Sequence, residues 1–593
     1  MTTYDNRLSA LRGVLGAAGL DGFIVTIADE HGSEYVGAYA QRLHWLTGFA
    51  GSAGTAIVLA NRAAFLSDGR YTLQAVAEVD GALYEHVNSV ETPLTTWLAA
   101  NIAPDTRIGF DPWLVTERTA QAWRKTVEGR GAKLIAVTRN PVDAIWSDRP
   151  APSPAPLTVQ PEQFAGPSAA EKRTQIAATL ETVGADVAIV TALDGVAWAF
   201  NIRGLDVART PVALAFAILH RDGTADLFVD EGKLTPDVRA HLGNSVRVSP
   251  YAAFDTAVGQ LAGMVVLADP DRTAHAVFAR LADGGARILE ARDPTVDAKA
   301  IKSPAEIAGA RAAHERDGAA LTRFLHWVSE EAPRSGLDEI TAAAHLQAFR
   351  AEGGLLKDLS FDTIMGSGPN GAIMHYRVSP ETNRTIHPGE LLLIDSGGQY
   401  QDGTTDVTRT IAIGQPTPEM VDRFTRVLQG HIAVASTVFP HGARGCQLDG
   451  LARRPLWSIG TDYAHGTGHG VGSYLAVHEG PQRIAAYGGG DEPLKAGMIL
   501  SNEPGYYKPG HYGIRIENLV LIRDIELAGA EKPMLGFENL TLAPIDRALI
   551  DPALLDENER DWLNAYHALV HRKLAPLLPP ADVAWLAQAT RAL

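Results

Sequence analysis

The chain of 593 residues contains a single cysteine, Cys446. One thiol cannot form an intrachain disulfide, and it cannot supply a zinc or iron–sulfur site built from several cysteines. Long apolar runs are missing too, because no stretch reaches the roughly 18 apolar residues that a membrane-spanning helix needs. The N-terminus, MTTYDNRLSALRG, lacks the basic and apolar regions of a secretory signal. These absences predict a cytoplasmic protein without a membrane partner.

An excess of positive charge is also absent. The chain has 52 Lys and Arg against 69 Asp and Glu, a net charge of −17, whereas nucleic-acid-binding surfaces are basic. Nucleic acid is therefore not an expected partner. Apolar residues make up 46% and charged residues 20% of the chain, which is the composition of a folded protein rather than of a disordered one.

The pattern changes at two places along the chain. A proline-rich stretch at 147–166 has the composition of a linker. Near residue 300, Ser303, Pro304 and Glu306 form the N-cap, first position and capping box of a predicted long helix. We therefore predict three domains, which are 1–155, 156–300 and 301–593, the last with a C-terminal extension from about residue 535.

The first two predicted domains share a sequence pattern. The segment GLDGFIVT at 19–26 recurs as GADVAIVT at 184–191, each time after a helical pattern. Two copies of a helix, loop and apolar strand predict two related α/β domains. The third domain has long helices, one beginning at Thr417 and Pro418, followed by strand-like segments such as GELLLIDSGG and AGMILSNEPG. This order predicts an α+β fold.

Two aspartates mark a candidate site in the third domain. The apolar run Leu391 to Ile394 leads to Asp395, and a glycine-rich turn then leads to Asp406 at the start of the next strand pattern. Neighbouring strands would hold these carboxylates a few ångströms apart. Because two nearby carboxylates repel, either one of them binds a proton or a cation lies between them.

Further candidate ligands follow in the sequence. The segment HGTGHGVG places His465 and His469 among glycines, and Glu503 ends a strand pattern just before a proline. Glu517 is predicted to lie inside a strand with Arg515 on the same face. Taken singly, these residues have simpler interpretations, such as a turn, a solvated carboxylate or an ion pair on an exposed strand edge.

Taken together, these groups predict a metal centre. Four carboxylates and one imidazole carry too much negative charge for one ion, whereas two divalent ions bridged by carboxylates would balance it. Oxygen ligands with a single imidazole favour Mn²⁺, with Zn²⁺, Co²⁺ or Fe²⁺ as competitors. The predicted ligands are Asp395, Asp406, His469, Glu503 and Glu517.

Motifs along nearly the whole chain resemble those of the long, three-domain cytosolic aminopeptidase P (Xaa-Pro aminopeptidase) family, within peptidase family M24. The motifs are GFAGSAGTA, SDGRYTLQA, TALDGVAWAFNIRG, DLSFDTIMGSGPNGAIMHY, DGTTDVTRT, HGTGHGVG, VHEGP, NEPGYY and DWLNAYH. The resemblance implies two creatinase N-terminal-like α/β domains followed by a pita-bread catalytic domain. It also implies a homodimer and peptide substrates with proline at the second position.

The resemblance implies a role for each candidate residue. Asp395 would bind one ion, Asp406 and Glu517 would bridge both, and His469 with Glu503 would complete the other. On the substrate side it implies His375, His465, His478, Arg515 and, from the first domain of the same chain or of a partner subunit, Arg70. Catalytic roles are expected for Glu503, as proton carrier, and for His375 and His478, which would steady the oxyanion.

The expected reaction is hydrolysis of the N-terminal Xaa-Pro bond by a hydroxide that bridges the two ions. The nearest alternative is a prolidase-like dipeptidase, which would not need the second N-terminal domain. A catalytically silent pita-bread binding protein could lose any of the five ligands. A metal-free creatinase-like amidinohydrolase would have no use for four converging carboxylates.

Overall fold

A computed structural model describes residues 3–334, 336–486 and 488–593. The chain forms two compact units. The N-terminal unit comprises Met1–Pro161 and Pro167–Val296, and the C-terminal unit comprises Glu162–Gly166 and Asp297–Leu593.

The N-terminal unit begins with a six-stranded α/β sheet. Its first strand is the apolar run GFIVT, whose side chains are almost all buried, as expected of a strand covered on both faces. The strand order is β4-β3-β2-β1-β5-β6. The strands are β1 (Gly22–Thr26), β2 (Thr55–Leu59), β3 (Ala63–Ser67), β4 (Glu85–Asn88), β5 (Arg107–Phe110) and β6 (Lys133–Ala136). The helices are α1 (Thr3–Ala17), α2 (Arg42–Thr47), α3 (Thr72–Glu78), α4 (Leu94–Asn101), α5 (Glu117–Glu128) and α6 (Pro141–Ile145).

A second six-stranded sheet follows in the same unit. The short strands β7 (Thr158–Val159) and β9 (Ile202–Arg203) pair with each other outside this sheet. The short helix α7 (Glu162–Ala165) belongs to the C-terminal unit. The sheet strands are β8 (Val187–Val190), β10 (Ala215–His220), β11 (Ala225–Val229), β12 (Val246–Ser249), β13 (Val265–Ala268) and β14 (Arg287–Glu290). The helices are α8 (Ala169–Val183), α9 (Leu193–Ala199), α10 (Pro236–Leu242), α11 (Phe254–Val258) and α12 (His275–Asp283). Helix α13 (Pro294–Ala300) begins in this unit and ends in the C-terminal unit.

The two sheets have the same topology. The second sheet has the order β12-β11-β10-β8-β13-β14. Its β8 pairs antiparallel with β10 and parallel with β13, just as β1 pairs antiparallel with β2 and parallel with β5 in the first sheet. The repeated segments at 19–26 and 184–191 contain the corresponding strands β1 and β8. The repeat in the sequence therefore reflects a repeated α/β fold.

The C-terminal unit contains the long helices. Ser303 caps α14 with the predicted capping box, and Thr417 caps α16 by accepting a hydrogen bond from the Met420 backbone N–H. The helices are α14 (Pro304–Glu331), α15 (Glu339–Ala351), α16 (Pro418–Ala435), α17 (Gly445–Trp457), α18 (Glu557–Leu574) and α19 (Pro580–Ala589). Helix α16 buries Phe424, Val427 and Leu428 in a core cluster that also includes residues of α18.

The strands of the C-terminal unit form several small sheets and one six-stranded sheet. The small sheets use β15 (Leu356–Leu359), β16 (Ile364–Ser367), β17 (Leu391–Ser396), β18 (Gly398–Tyr400), β19 (Gly403–Thr404), β20 (Val407–Ala412), β25 (Gly505–Lys508) and β26 (Tyr512–Arg515). The larger sheet, in the order β21-β28-β27-β24-β22-β23, uses β21 (Phe439–Pro440), β22 (Gly468–Gly470), β23 (Glu479–Ile484), β24 (Ile499–Asn502), β27 (Asn518–Ile525) and β28 (Met534–Asn539).

The fold class is the predicted one, with two related α/β domains before a mixed helical and stranded domain. The residue boundaries 1–155, 156–300 and 301–593 stay predictions. Within the described ranges, no helix has both the length and the apolar character required to cross a membrane.

Candidate metal centre

Two strands bring the predicted aspartates together. Asp395 lies near the end of β17, Asp406 immediately precedes β20, and the antiparallel pairing of these strands sets Asp395 opposite Thr408. The apolar residues before Asp395 are fully buried, which anchors the strand and fixes where its carboxylate emerges. Asp395 and Asp406 are 8% and 4% exposed.

A second pair of strands supplies the imidazole and another carboxylate. His469 is the central residue of β22, and Glu503 directly follows β24, with which β22 pairs. The His469 Nδ1–H donates to the Gly470 carbonyl at 2.9 Å, so the neutral form of the ring has its lone pair on Nε2. Nε2 lies 3.5 Å from Asp406 Oδ2 and 3.7 Å from Glu503 Oε1. Both distances exceed an ordinary hydrogen bond.

Gly470 allows β23 to approach His469. A Cβ atom at this position would lie 2.1 Å from the Glu479 carbonyl oxygen of β23. Any larger residue would therefore separate the two strands beside the imidazole.

The structure corrects the prediction that Glu517 lies inside a strand. Glu517 lies in the two-residue break between β26 and β27, because β26 pairs with β25 while β27 pairs with β24. Its backbone N–H donates to the Thr408 carbonyl at 3.1 Å, and its Oε2 accepts a hydrogen bond from the Thr408 hydroxyl at 2.8 Å. Glu517 is thereby fixed beside β20 and is 1% exposed.

The donor set fits divalent metal ions. Asp406, His469 and Glu517 each offer a ligand atom within 4.8 Å of the others. Asp395 Oδ1 is buried and has no hydrogen-bond partner among the described residues, which is costly for a carboxylate oxygen unless a ligand meets it. Carboxylate oxygens with one imidazole suit hard and borderline divalent ions.

Burial first, and then repulsion between the carboxylates, raises the pKa values of this site in the absence of a metal. Burial, then the charges of Glu517, Asp395 and Glu503, raise the pKa of Asp406 well above its ordinary value. Burial and the neighbouring carboxylates Asp395 and Glu503 likewise raise the pKa of Glu517, and burial raises the pKa of Glu503 to about 7. Metal ions would replace the protons that these groups hold.

A buried cation faces the cluster. The Arg515 guanidinium donates to Asp395 Oδ2 at 2.5 Å, to the Tyr507 hydroxyl at 2.6 Å and to the Thr408 hydroxyl at 3.1 Å. Arg515 is 2% exposed and its guanidinium is occupied by these three groups. This geometry favours a role for Arg515 in orienting the Asp395 carboxylate. Its predicted contact with substrate stays a prediction.

His465 also has partners within the protein. Its Nδ1–H donates to the Gly466 carbonyl at 2.8 Å, and its Nε2 accepts from the Tyr507 hydroxyl at 2.9 Å. His465 is therefore linked to Arg515 through Tyr507.

The other predicted substrate-side residues are partly exposed. His478 lies beside the ligands, with its ring centroid 4.3 Å from that of His469. His375 is half-buried next to Met374, whose carbonyl accepts a hydrogen bond from Arg515 at 3.3 Å. In the N-terminal unit, Arg70 makes a two-pronged ion pair with Asp68, at 2.9 and 2.8 Å.

Sequence reasoning missed three supporting side chains. Thr408 and Tyr507 are the partners of Glu517, Arg515 and His465 described above. The Ser501 hydroxyl accepts from the His469 backbone N–H at 2.9 Å and donates to Glu503 Oε1 at 3.3 Å. Tyr507 and Ser501 belong to the segment SNEPGYY. Their closeness to Glu503 in the sequence could have indicated that they lie at the site.

Family models match almost the entire chain. The creatinase/prolidase N-terminal domain matches residues 7–145 and 148–306, and metallopeptidase family M24 matches 308–524. The C-terminal region of peptidase M24 matches 533–593. All five predicted ligands lie within the M24 match.

Curated relatives are similar over the full length. Probable Xaa-Pro aminopeptidase P from Paracoccidioides brasiliensis is 41% identical, with 100% of both chains covered. The protein of the same name from Aspergillus niger is 41% identical over 100% of this chain and 99% of its own. The chain belongs to the Xaa-Pro aminopeptidase P family. It is therefore a metallopeptidase, as the sequence predicted.

Solved structures agree with the Xaa-Pro aminopeptidase P family. X-prolyl aminopeptidase from Caenorhabditis elegans, described as a cytosolic enzyme with a di-nuclear active site, matches with a TM-score of 0.95 at 33% identity and 100% coverage of both chains. Prolidase from Pyrococcus horikoshii matches with a TM-score of 0.50 at 25% identity, over 64% of this chain and 100% of its own.

Proposed function

We propose that the protein hydrolyses the N-terminal Xaa-Pro bond of peptides at a centre of two divalent ions. The observation that carries the proposal is the buried convergence of Asp406, His469 and Glu517, with Asp395 and Glu503 beside them. The similarity to Xaa-Pro aminopeptidase P over the full length supports the same reaction.

The five side chains would hold the ions in the order that the family resemblance implies. Asp395 would bind one ion, Asp406 and Glu517 would bridge both, and His469 with Glu503 would complete the other. When bound, the ions supply an activated water and polarise the peptide carbonyl. Mn²⁺ is our first choice, because oxygen donors dominate the set, with Zn²⁺, Co²⁺ and Fe²⁺ as competitors.

Glu503 is the proposed proton carrier. Its side chain is 18% exposed, whereas those of His469 and Asp406 are 8% and 5% exposed. One carboxylate oxygen lies on the His469 side, and the Ser501 hydroxyl holds it in place. Such a carboxylate can take a proton from the attacking water and deliver it to the leaving proline nitrogen.

Histidines beside the ligands are proposed to act on the substrate. His478 and His375 would donate a hydrogen bond to the carbonyl oxygen as negative charge develops on it. His465 and Arg515 complete the proposed substrate side in the C-terminal unit. For Arg70, in the N-terminal unit, a contact with peptide is proposed from the family resemblance alone. The carboxylate cluster would attract the free ammonium of the peptide, which limits cleavage to the amino terminus.

The protein is further proposed to be a cytoplasmic homodimer. The resemblance to the long aminopeptidase P type supports the dimer. The similar nematode protein, described as cytosolic, supports the location.

Product analysis of small peptides tests the proposal. Purified protein with Mn²⁺ is incubated with Arg-Pro-Pro, Arg-Ala-Pro and the dipeptide Arg-Pro, each with and without EDTA, and products are identified by mass spectrometry. Release of arginine from Arg-Pro-Pro but not from Arg-Ala-Pro, abolished by EDTA, is the expected result.

Two outcomes would contradict the proposal. Cleavage of the dipeptide without cleavage of Arg-Pro-Pro would identify a prolidase-like dipeptidase. No release from any peptide by folded, metal-loaded protein would favour a binding protein without catalysis.

A further inference from the structure

A second buried charged cluster lies next to the metal centre. It consists of Lys299 in α13, Lys302 just before α14 and Glu479 at the start of β23, whose side chains are 3%, 1% and 0% exposed. Lys302 Nζ donates to Glu479 Oε1 at 2.5 Å and to the Lys299 carbonyl at 3.0 Å. Lys299 Nζ lies 3.0 Å from Glu479 Oε2. Charges buried this deeply are expensive, so the cluster calls for a reason.

The cluster is joined to the centre by one peptide bond. Glu479, the first residue of β23, directly follows His478, which lies in the bend before that strand. His478 faces the ligands, since its ring is 4.3 Å from the His469 ring, while Glu479 points to the two lysines. Fixing the Glu479 carboxylate therefore fixes the peptide that carries the imidazole.

The residues that follow β22 also contact the Glu479 carboxylate. A Cβ atom on Gly472 would lie 3.0 Å from Glu479 Oε2, so the carboxylate packs directly against this glycine. The β23 backbone also pairs with β22, where Gly470 lies opposite Glu479. Glu479 is thus confined by the two lysines and by the histidine-bearing segment 465–472.

The number of lysines around Glu479 indicates that they do more than neutralise its charge. One ammonium would neutralise one carboxylate, yet two lysines contact the two oxygens of Glu479 separately. Oε1 accepts a hydrogen bond from Lys302, whereas Oε2 accepts none from the described residues and has the Lys299 ammonium 3.0 Å away as an ion pair. Cations at both oxygens restrict the rotation of the carboxylate as well as its location.

We propose that Lys299 and Lys302 are positioning residues that aim His478 at the substrate carbonyl through Glu479. This inference rests on the proposed function. It assigns to the cluster the orientation of one hydrogen-bond donor to the developing negative charge, without any contact between the lysines and the substrate.

Lys302→Met tests the proposal. The variant keeps an apolar stem and leaves Lys299 and Glu479 as a balanced pair, so the protein is expected to fold. Because misplacement of a catalytic group by about 1 Å can cost roughly 100-fold, we expect kcat for Arg-Pro-Pro to fall by about 10- to 100-fold. KM and the metal content per chain should change less than twofold.

A double-mutant cycle with His478→Ala identifies the route of the effect. If Lys302 acts through His478, Lys302→Met causes no further loss of kcat once the imidazole is absent. An equal loss in both backgrounds, an unchanged kcat in the single variant, or loss of metal would each overturn the proposal. Lys495→Met is the matched control, because Lys495 forms a partly exposed ion pair with Asp297 in the same unit, at 3.4 Å.

Crystal structures of the wild type and of Lys302→Met give a readout that does not depend on activity. The proposal predicts that the His478 ring shifts relative to His469 while the five ligands stay in place. If the ring does not move, the positioning proposal is wrong, whatever the activity of the wild type. If the wild type shows no turnover, the proposed function is wrong, whatever the position of the ring.

Discussion

At His469, one hydrogen bond decides which ring nitrogen can bind a metal. The Nδ1–H donates to the Gly470 carbonyl, so the lone pair of Nε2 points to the carboxylates of Asp406 and Glu503. A backbone acceptor of this kind fixes both the tautomer and the ring orientation of metal-binding histidines. The imidazole is therefore oriented before any ion binds.

Removal of either of two ligands should abolish the activity. We expect His469→Ala and Asp406→Asn to reduce metal-dependent turnover by more than roughly 100-fold, because each removes a group that would touch an ion directly. Steady-state kinetics, metal content and circular dichroism measure the effect. His441→Ala and Asp524→Asn, which alter an exposed pair, are the matched controls. Near-normal rates in either site variant would refute the ligand assignment.

The raised pKa values of the site carboxylates predict that metal binding depends on pH. In the metal-free protein, the pKa of Glu503 is about 7 instead of 4.5. A raised carboxyl pKa favours the folded state at low pH, and this contribution is lost as the pH rises from about 4.5 through about 7. Metal ions replace the protons, so Mn²⁺ should raise Tm more at pH 8 than at pH 6.

Two measurements check this dependence. Calorimetric titration with Mn²⁺ in buffers of different ionisation enthalpy should reveal proton release near pH 6. Equal Tm increments at both pH values, with no proton release, would contradict the pKa shifts.

Some residues of the site could be predicted from the sequence and others could not. Asp395, Asp406 and His469 stand at strand patterns and among glycines, where charged groups need a reason. Thr408 and Ser501 are ordinary in their strands, and only the pairing of distant segments brings them to Glu517 and Glu503. Such contacts cannot be predicted from local patterns.

Helix α16 is an element whose start could be read from the sequence. Thr417 Oγ1 accepts from the Met420 N–H at 3.3 Å, and Pro418 occupies the first helical position. Thr417→Ala should lower the free energy of unfolding by about 1 kcal/mol. Urea denaturation measures it. Thr417→Ser retains the hydroxyl and should stay near the wild type, whereas an equal loss in both variants would argue against capping.

The pairing of β22 with β23 is a second feature at this scale. Gly470→Ala would bring a Cβ to 2.1 Å from the Glu479 carbonyl, so we expect a loss of roughly 1–3 kcal/mol, as for other overpacked sites. Metal affinity should fall as well, since His469 is the neighbouring residue. Thermal unfolding and metal titration provide the measurements.

Gly16→Ala is the matched control for this change. Gly16 lies in α1, and a Cβ added there would have no neighbouring atom within 4 Å. The free energy of unfolding of this variant should therefore equal or slightly exceed that of the wild type. A neutral Gly470→Ala variant would contradict the close approach of the strands.

The end of an element was harder to predict than its existence. The pattern YGIRIENLVLI alternates like one strand, yet β26 and β27 pair with different partners and leave Glu517 between them. Strand limits are set by these tertiary pairings. Local sequence therefore located the carboxylate but not its backbone setting.

For the whole molecule, the duplicated N-terminal fold was predictable because a short segment that contains β1 recurs in the segment that contains β8. The structure then shows that the two sheets have corresponding strand orders. The small sheets of the catalytic domain were not predictable, since strands distant in the sequence form them. The family resemblance, rather than periodicity, implied the pita-bread fold.

The proposed homodimer is tested by size-exclusion chromatography with light scattering. We expect a mass near twice the 63.3 kDa of one chain, maintained on dilution. A mass of one chain at all concentrations would contradict the dimer without affecting the metal centre.

The central claim is that five converging side chains hold two metal ions for hydrolysis. Anomalous diffraction from crystals grown with Mn²⁺ tests it most directly. The account predicts two anomalous peaks, both contacted by side chains of the set Asp395, Asp406, His469, Glu503 and Glu517. Peaks at other residues, or no peak in this cluster, would contradict it.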